Sequence, residues 1–503
     1  MNSNIIKKTT ILALLLSTTL TIFPATELHR LKNTLSGYAA SLVSEVPFWI
    51  PSWFLHPNED MLFKLSEIKA HRVFWNAYDS VPGYRDFINR TSGGNFIEFT
   101  DIPIMDKDNF IRKYPLEQVH KGGKIPTEGY MDPSSGTSGR RTLWIRGKDE
   151  IHNAQKMMNL VRNLFLEGDD YVLINMFLPS AWSLGLMRGL GPNIYEAYET
   201  MKDLGTQQKY LIMGHTSLMK YFVKECPFDL AEYDVTFLLG GEHMSRALHS
   251  YFLESGVKKI LSGYGASDIH FTVGIQEEFA QKLQELCWRN KTLKKALTGS
   301  ESGLPFFFQY SPLQDYIEEV DGRLIFTDLD HMRVSPRIRY DLGDRGKILR
   351  MSFVQEVLAD FDIELEPFTS LPLICLYGRV MHSILFDDIE FAFDDLELAV
   401  LDTELGEYMN QYAYNLFTDA DGVEQLEFWV ELKEGVSANQ FDHTVAQERV
   451  YAALGEINHE FSQEFVQQHS NTIALKIYDH GISPMKEESM FRKAIFKYNV
   501  ANK

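Results

Sequence analysis

Three cysteines in 503 residues, Cys226, Cys287 and Cys375, are too few and too far apart for a disulfide framework or a cysteine metal site. Their number and spacing predict reduced thiols. Positive charge is also short. The formal net charge is -20, whereas a nucleic-acid binder carries a basic face. The Gly-x4-Gly-Lys-Ser/Thr spacing of a Walker A loop is missing, and so is the Gly-x-Ser-x-Gly elbow of serine hydrolases. Long apolar runs are scarce. Thr9 to Phe23, behind Lys7 and Lys8, has the length of a signal-peptide core. It falls short of the roughly 20 residues that a bilayer-spanning helix needs. The Pro-Ala-Thr-Glu that follows is a poor cleavage site. Two readings stay open, a membrane-associating leader and a helix packed on the protein itself.

What the chain does have is length for more than one domain and an ordinary apolar share of 45%. Its most informative stretch is Ser134-Ser135-Gly136-Thr137-Ser138-Gly139-Arg140-Arg141-Thr142. Glycines let the backbone fold tightly and let an anion approach the amide N–H groups. Successive N–H groups make a concave nest for phosphate, and hydroxyls add donors. Arg140 and Arg141 then supply planar, permanently charged forks. The plain alternative is a Ser/Gly-rich linker. The run is short, lies between apolar segments and is closed by basic residues, which favours a phosphate loop.

Upstream, the Pro-rich aromatic run from residue 46 to 57 reads as an irregular connection. Glu59 to Asn89 reads as helices broken at Val81-Pro82-Gly83-Tyr84. Ile102-Pro-Ile-Met-Asp-Lys-Asp108 reads as a scaffold turn. Downstream, helical spacing covers Glu150 to Glu167, and Asp170 to Leu178 suits a buried strand. Trp182 and Met187, in the loop that follows, suit either an acyl or aryl pocket or plain core. Strand and helix then alternate: a strand at Lys209–Met213, a helix to Lys224, a strand at Tyr233–Leu239, a helix at Ser245–Ser255 and an apolar run from Lys258. That rhythm predicts an α/β fold with helices on the faces of a parallel sheet.

Two glycine motifs close these strands. Gly240-Gly241-Glu242 offers bare backbone for a flat ring. Gly263-Tyr264-Gly265-Ala266-Ser267-Asp268 offers an aromatic ring, a hydroxyl and a carboxylate. Each alone is a common turn. Asp321-Gly322 predicts a tight hairpin. Arg339-Tyr-x-x-Gly-Asp344 places a carboxylate after a glycine, suited either to paired ribose hydroxyls or to a salt-bridged turn. Tyr377-Gly378-Arg379 follows. The acidic segment Asp387 to Glu407 reads as a solvated face, Gln425–Leu432 as a half-buried strand, Phe441–Gln468 as mainly helical, and Thr472–Tyr478 as a strand.

In this order the motifs resemble those of the adenylate-forming ligase superfamily, and most closely its phenylacetate–CoA ligase-like branch. The phosphate loop there reads Ser-Ser-Gly-Thr-Thr-Gly-Lys-Pro-Thr in many members. Here Arg140 stands for the lysine and Arg141 for the proline. The resemblance runs from about Asp79 to Arg379 and extends to Ala77–Arg85 and to the Ile102–Asp108 turn. It implies a large adenylate-forming domain over residues 61–379, after an N-terminal segment and connection over 1–60, and a small α+β domain over 380–503.

The roles it implies follow the motifs. Ser134 to Arg140 hold phosphates, Gly240, Gly241 and Glu242 lie against adenine, and Tyr264 with Gly265 packs on that ring. Ser267 lies near the α-phosphate and the substrate carboxylate. Asp344 accepts the ribose hydroxyls, and Arg379 lies near ribose or phosphate. Asp268 takes the place of a magnesium-associated glutamate. It is one methylene shorter and calls for a bridging water. Lys493, then Lys486, takes the place of the adenylation lysine, although the Gly-Lys of the family pattern and the acid after Arg379 are absent.

The activity implied is ATP-dependent conversion of a small carboxylic acid to acyl-AMP, with Mg2+, followed by transfer to a thiol such as coenzyme A. A protein thiol, an amine, or nucleotide binding without catalysis are the alternatives. A cytoplasmic location is implied.

Overall fold

The computed structural model describes residues 58–497 except 94–97, 134–141, 152–164, 167–169, 178–187, 190, 192, 242–243, 245, 271, 300–304, 380–382, 388, 420–421, 459–460 and 486–494. The apolar stretch Thr9–Phe23, most of the expected helix after Glu150, and Trp182 and Met187 lie outside the described residues. Among the described residues, no helix is long and apolar enough to cross a membrane.

α1 (Glu59–Ser80) starts at Asn58, whose side chain accepts the Met61 N–H at 2.9 Å. α2 (Pro82–Ser92) starts on a proline, which loses no helical hydrogen bond at that position, and ends on Gly93 at φ 64°. The Val81–Tyr84 signal is therefore a helix–helix junction, as the sequence predicted. β1 (Gly129–Pro133) and β2 (Leu143–Gly147) form an antiparallel hairpin.

The central run is β3 (Tyr171–Asn175), β4 (Arg188–Gly189), α3 (Ile194–Leu204), β5 (Lys209–His215), α4 (Thr216–Lys224), β6 (Asp234–Gly240), α5 (Arg246–Glu254) and β7 (Lys259–Tyr264). It continues with β8 (Gly274–Gln276), α6 (Glu278–Arg289), α7 (Lys291–Thr298), β9 (Phe306–Tyr310) and β10 (Asp315–Val320). β11 (Arg323–Asp328), β12 (Tyr340–Leu349), α8 (Met351–Asp360) and β13 (Leu373–Arg379) complete it.

These strands make one eleven-stranded sheet, ordered β10-β11-β12-β13-β9-β8-β7-β6-β5-β3-β4. From β4 to β7 the pairings are parallel, and from β7 to β10 they are antiparallel. β7 is thus the strand at which the sheet changes direction.

Both faces are covered, which is why the strands read as unbroken apolar runs. On β5, Tyr210 and Ile212 pack with Met201 and Phe222 of α3 and α4, while Leu211 and Met213 pack with Leu166 and Leu238 on the other face. In the antiparallel half, Phe308 and Phe326 meet Phe74 and Tyr84 of the first two helices. Phe307 and Leu373 meet Leu283, Leu293 and Val354 of α6, α7 and α8. Cys287 and Cys375 are buried there, and all three cysteines are free thiols as expected.

The C-terminal part holds β14 (Ser383–Phe386), β15 (Ile389–Ala392), α9 (Phe393–Leu401), β16 (Met409–Thr418) and β17 (Glu424–Leu432). α10 (His443–Ile457), α11 (Gln463–Gln468), β18 (Ile473–Tyr478) and β19 (Ile495–Lys497) follow. Four of its strands make a sheet ordered β18-β17-β16-β19, and β14 and β15 pair separately. The whole is an α/β fold with a large helix-flanked sheet and a smaller C-terminal sheet.

Two expectations change here. The acidic segment is not simply a solvated face, because Leu396, Ala399 and Val400 of α9 enter the core and Asp395 is itself buried. β17 is a covered central strand and not a half-buried one. Phe428 and Val430 face one core, and Trp429 packs with Ala413 and Met485 on the other side.

Candidate active site

The end of β7 gathers the motif residues. Gly240, at the end of β6, is the register partner of Gly263 on β7, so two residues without side chains lie next to each other. A Cβ on Gly240 would stand 3.4 Å from the Gly263 carbonyl oxygen and 3.5 Å from the Phe177 ring. Gly241 takes φ 77°, and a Cβ there would meet His215 Nδ1 at 2.7 Å. At Gly241 glycine is required, and with Gly240 and Gly263 it leaves a strip of bare backbone.

Tyr264 lies next to it, nearly buried, with its ring 5.5 Å from that of Phe308 and 6.2 Å from that of Phe326. Its hydroxyl donates to Asp344 Oδ2, a contact between residues 80 positions apart. Asp344 is 1% exposed and follows Gly343, which takes φ 80°. In the sheet Asp344 pairs in register with Arg379 of β13. Tyr264, Asp344 and the Arg379 backbone thus converge at one edge, beside the Gly240 strip. Of Arg339 and Arg345, the two partners the salt-bridged-turn alternative offers, Arg339 pairs instead with Glu318 at 3.0 Å and donates to the Thr100 and Ile102 carbonyls.

The loop after β7 is held by its backbone. Arg146 of β2 donates to the Ser267 carbonyl at 2.6 Å and to the Ile269 carbonyl at 2.9 Å. Arg333 donates to the carbonyls of Ile269 and Asp268 at 2.6 and 2.9 Å. Arg337 donates to the Asp268 carbonyl at 2.7 Å and stacks 4.7 Å above the Trp144 ring. All three guanidiniums are buried. Burial, and then the neighbouring charge of Arg333, holds Arg337 well below the usual guanidinium pKa. Hydrogen bonds to ionised donors are the stronger kind, so this loop is rigidly set. The hairpin that supplies Arg146 and Trp144 is also the one whose two strands flank residues 134–141.

Asp268 Oδ2 accepts the Tyr340 hydroxyl at 2.8 Å and pairs with Lys107 Nζ at 3.0 Å. Lys107 comes from the short helical turn Lys107–Ile111. Asp106 caps that turn by accepting the N–H groups of Asp108 and Asn109, each at 2.7 Å. The turn is docked by Met105, whose N–H donates to the Arg339 carbonyl at 3.0 Å and whose carbonyl accepts from Asp341 N–H at 2.8 Å. On Oδ2 the carboxylate thus already holds an ammonium and a phenol, so a magnesium association of the kind expected, through a bridging water, would share it with Lys107.

Ser134 to Arg140, Glu242, Lys486 and Lys493 lie outside the described residues. Sequence reasoning missed Lys107, Arg146, Arg333 and Arg337. The available signal was arginine set among apolar and aromatic neighbours, in Leu143-Trp-Ile-Arg146 and in Arg333-Val-Ser-Pro-Arg-Ile-Arg-Tyr340.

No family model and no curated protein matches the chain. Solved structures do. A 2-hydroxyisobutyryl-CoA ligase in the postadenylation state, in complex with R3-HIB-AMP, aligns over 90% of this chain and 94% of its own at 13% identity and TM-score 0.64. An open conformation of 2-hydroxyisobutyryl-CoA ligase, with 2-HIB-AMP and CoA, aligns over 89% and 95% at 13% identity and TM-score 0.53. The fold is that of the adenylate-forming ligases.

Proposed function

We propose that this chain activates a carboxylic acid with ATP, releasing pyrophosphate and forming acyl-AMP, and then passes the acyl group to a thiol, coenzyme A being the first candidate. In the first step a carboxylate oxygen bonds to the α-phosphorus as the bond to pyrophosphate breaks. In the second, the thiol sulfur bonds to the acyl carbon as AMP leaves. Positioning and charge neutralisation are the main contributions such a reaction needs from a protein.

The observation that carries this reading is the Tyr264–Asp344 contact beside the Gly240–Gly263 strip. Three motifs far apart in sequence meet where a nucleoside needs a flat surface, a ring edge and a ribose acceptor. Asp344 would accept the ribose hydroxyls, with the Tyr264 hydroxyl as a shared donor. Residues 134–140 would hold the phosphates, Ser267 would lie near the reacting carboxylate, and Arg379 near ribose or phosphate. Lys493 or Lys486 would offset the charge growing between carboxylate and phosphate oxygens. Magnesium bound to the nucleotide would supply charge neutralisation, with Asp268 associated through a bridging water. In this reading residues 61–379 form the nucleotide domain and 380–503 the small domain.

One observation favours a second reading, nucleotide binding without turnover: the Lys107–Asp268 pair in place of an open metal carboxylate. Incubation with ATP and pools of acids, with coenzyme A, a small thiol and an amine supplied separately, separates the readings. The proposal expects AMP and an acyl conjugate with the thiol. Bound ATP without AMP release supports the second reading.

A further inference from the structure

Two carboxylates stand directly opposite each other in the hairpin of β10 and β11. Asp315 and Asp328 are register partners across the strands, and both are buried, Asp315 completely. Like charges directly opposed on neighbouring strands repel, and a buried carboxylate is costly unless it is paired or bonded. Asp328 is supplied, since Arg333 donates to its Oδ2 and the Asp330 N–H to its Oδ1. Asp315 is not. Among the described residues, neither of its carboxylate oxygens has a hydrogen-bond partner.

His270, from the loop after β7, brings its Nε2 to 3.2 Å from Asp315 Oδ1 and 3.3 Å from Asp328 Oδ1. Among the described residues this nitrogen makes no hydrogen bond either. Three ligand-type atoms therefore face one another without a good hydrogen bond joining them, all within 4.8 Å. The two nitrogen–oxygen distances suit ligand atoms that share an ion. With metal–nitrogen and metal–oxygen bonds of about 2.0–2.2 Å, tetrahedral ligand atoms stand roughly 3.3–3.6 Å apart.

We propose that His270, Asp315 and Asp328 hold one divalent transition-metal ion, of the zinc or manganese class, that pins the loop after β7 to the β10–β11 hairpin. The donor set selects the class. One imidazole nitrogen with two carboxylates suits zinc or manganese, while magnesium and calcium prefer oxygen alone. The ion neutralises the opposed carboxylates and gives Asp315 a partner. Arg333 acts from behind, fixing Asp328 through its Oδ2 and holding the Asp268 and Ile269 carbonyls at the same time. The ion is structural, and what it sets is the position of the Ser267–Asp268 backbone.

The test uses the full chain, stripped with a chelator and titrated with Zn2+, and separately with Mn2+, near neutral pH by calorimetry. The proposal expects saturable uptake of one ion per chain and a higher Tm with the ion bound. His270→Gln and Asp315→Asn should abolish that uptake, whereas Cys226→Ser should not. Because either variant can fail to fold, Co2+ is also added to the wild-type chain. Visible d–d bands of a four-coordinate nitrogen–oxygen site are expected. Absence of saturable uptake, uptake equal in His270→Gln, or a thiolate-to-cobalt charge-transfer band would each overturn the site. The three side chains would then be an ion pair between a protonated imidazole and two carboxylates.

Discussion

At the scale of single residues, Asp344 and Asp268 share a chemistry and differ in their partners. Asp344 accepts from a neutral phenol, Tyr264, whose place a ribose hydroxyl can take or share. Asp268 meets a phenol and an ammonium. Asp344→Ala should therefore weaken ATP binding by roughly 1.5–3 kcal/mol, the range for a hydrogen bond to a charged group. That is about ten- to a hundredfold in Kd, and nucleotide titration reads it directly; unchanged affinity removes Asp344 from the site. Lys107→Met should instead act on stability. Among the described residues it leaves the buried Asp268 carboxylate with the Tyr340 hydroxyl alone, and breaking a buried pair is costly. Because the Lys107 side chain is 30% exposed, the loss should be about 1–3 kcal/mol, below that of a fully buried pair. Urea denaturation measures it, and an unshifted midpoint would show that the pair contributes nothing. Tyr264 and Asp344 were legible because each sits in a short motif with its own glycine. Lys107 was not, since its importance arises only when the turn after Met105 docks on Arg339 and Asp341, more than two hundred positions away.

At the scale of elements, local signals did well where the chemistry was local. Asp321 and Gly322 both take positive φ, 51° and 73°, as a two-residue hairpin with the primed turn requires. A Cβ on Gly322 would meet nothing within 4 Å, so its only penalty is conformational. Gly322→Ala should cost about 1–2 kcal/mol through the left-handed backbone alone. Thermal unfolding checks this, and a gain in stability would contradict the turn assignment. β3, β5, β6 and β7 were legible as apolar runs because both faces of the parallel sheet are covered, whereas β4 falls in a stretch that reads as loop. α9 was misread for a physical reason. Acid-rich composition says only that one face is wet, while Leu396, Ala399 and Val400 recur at helical spacing on the other. For β17, polar alternation suggested one wet face, but neighbouring strands and packing on both sides covered it, and no periodicity within one strand reports that.

At the scale of the whole molecule, the site lies where the sheet turns from parallel to antiparallel. β7 delivers Tyr264, β6 delivers the Gly240 strip, and β12, farther along the sheet, brings Asp344 to the Tyr264 hydroxyl. Motif order along the chain foretold this convergence. The arginine cradle was not foretold, because buried guanidiniums that bond backbone carbonyls leave no motif. The central claim is adenylation. Its most direct test is ATP–pyrophosphate exchange by the full chain against mixed pools of aryl, fatty and amino acids. The account predicts exchange that depends on an acid in at least one pool and falls in Asp344→Ala. Silence across every pool, with ATP still bound, would contradict it.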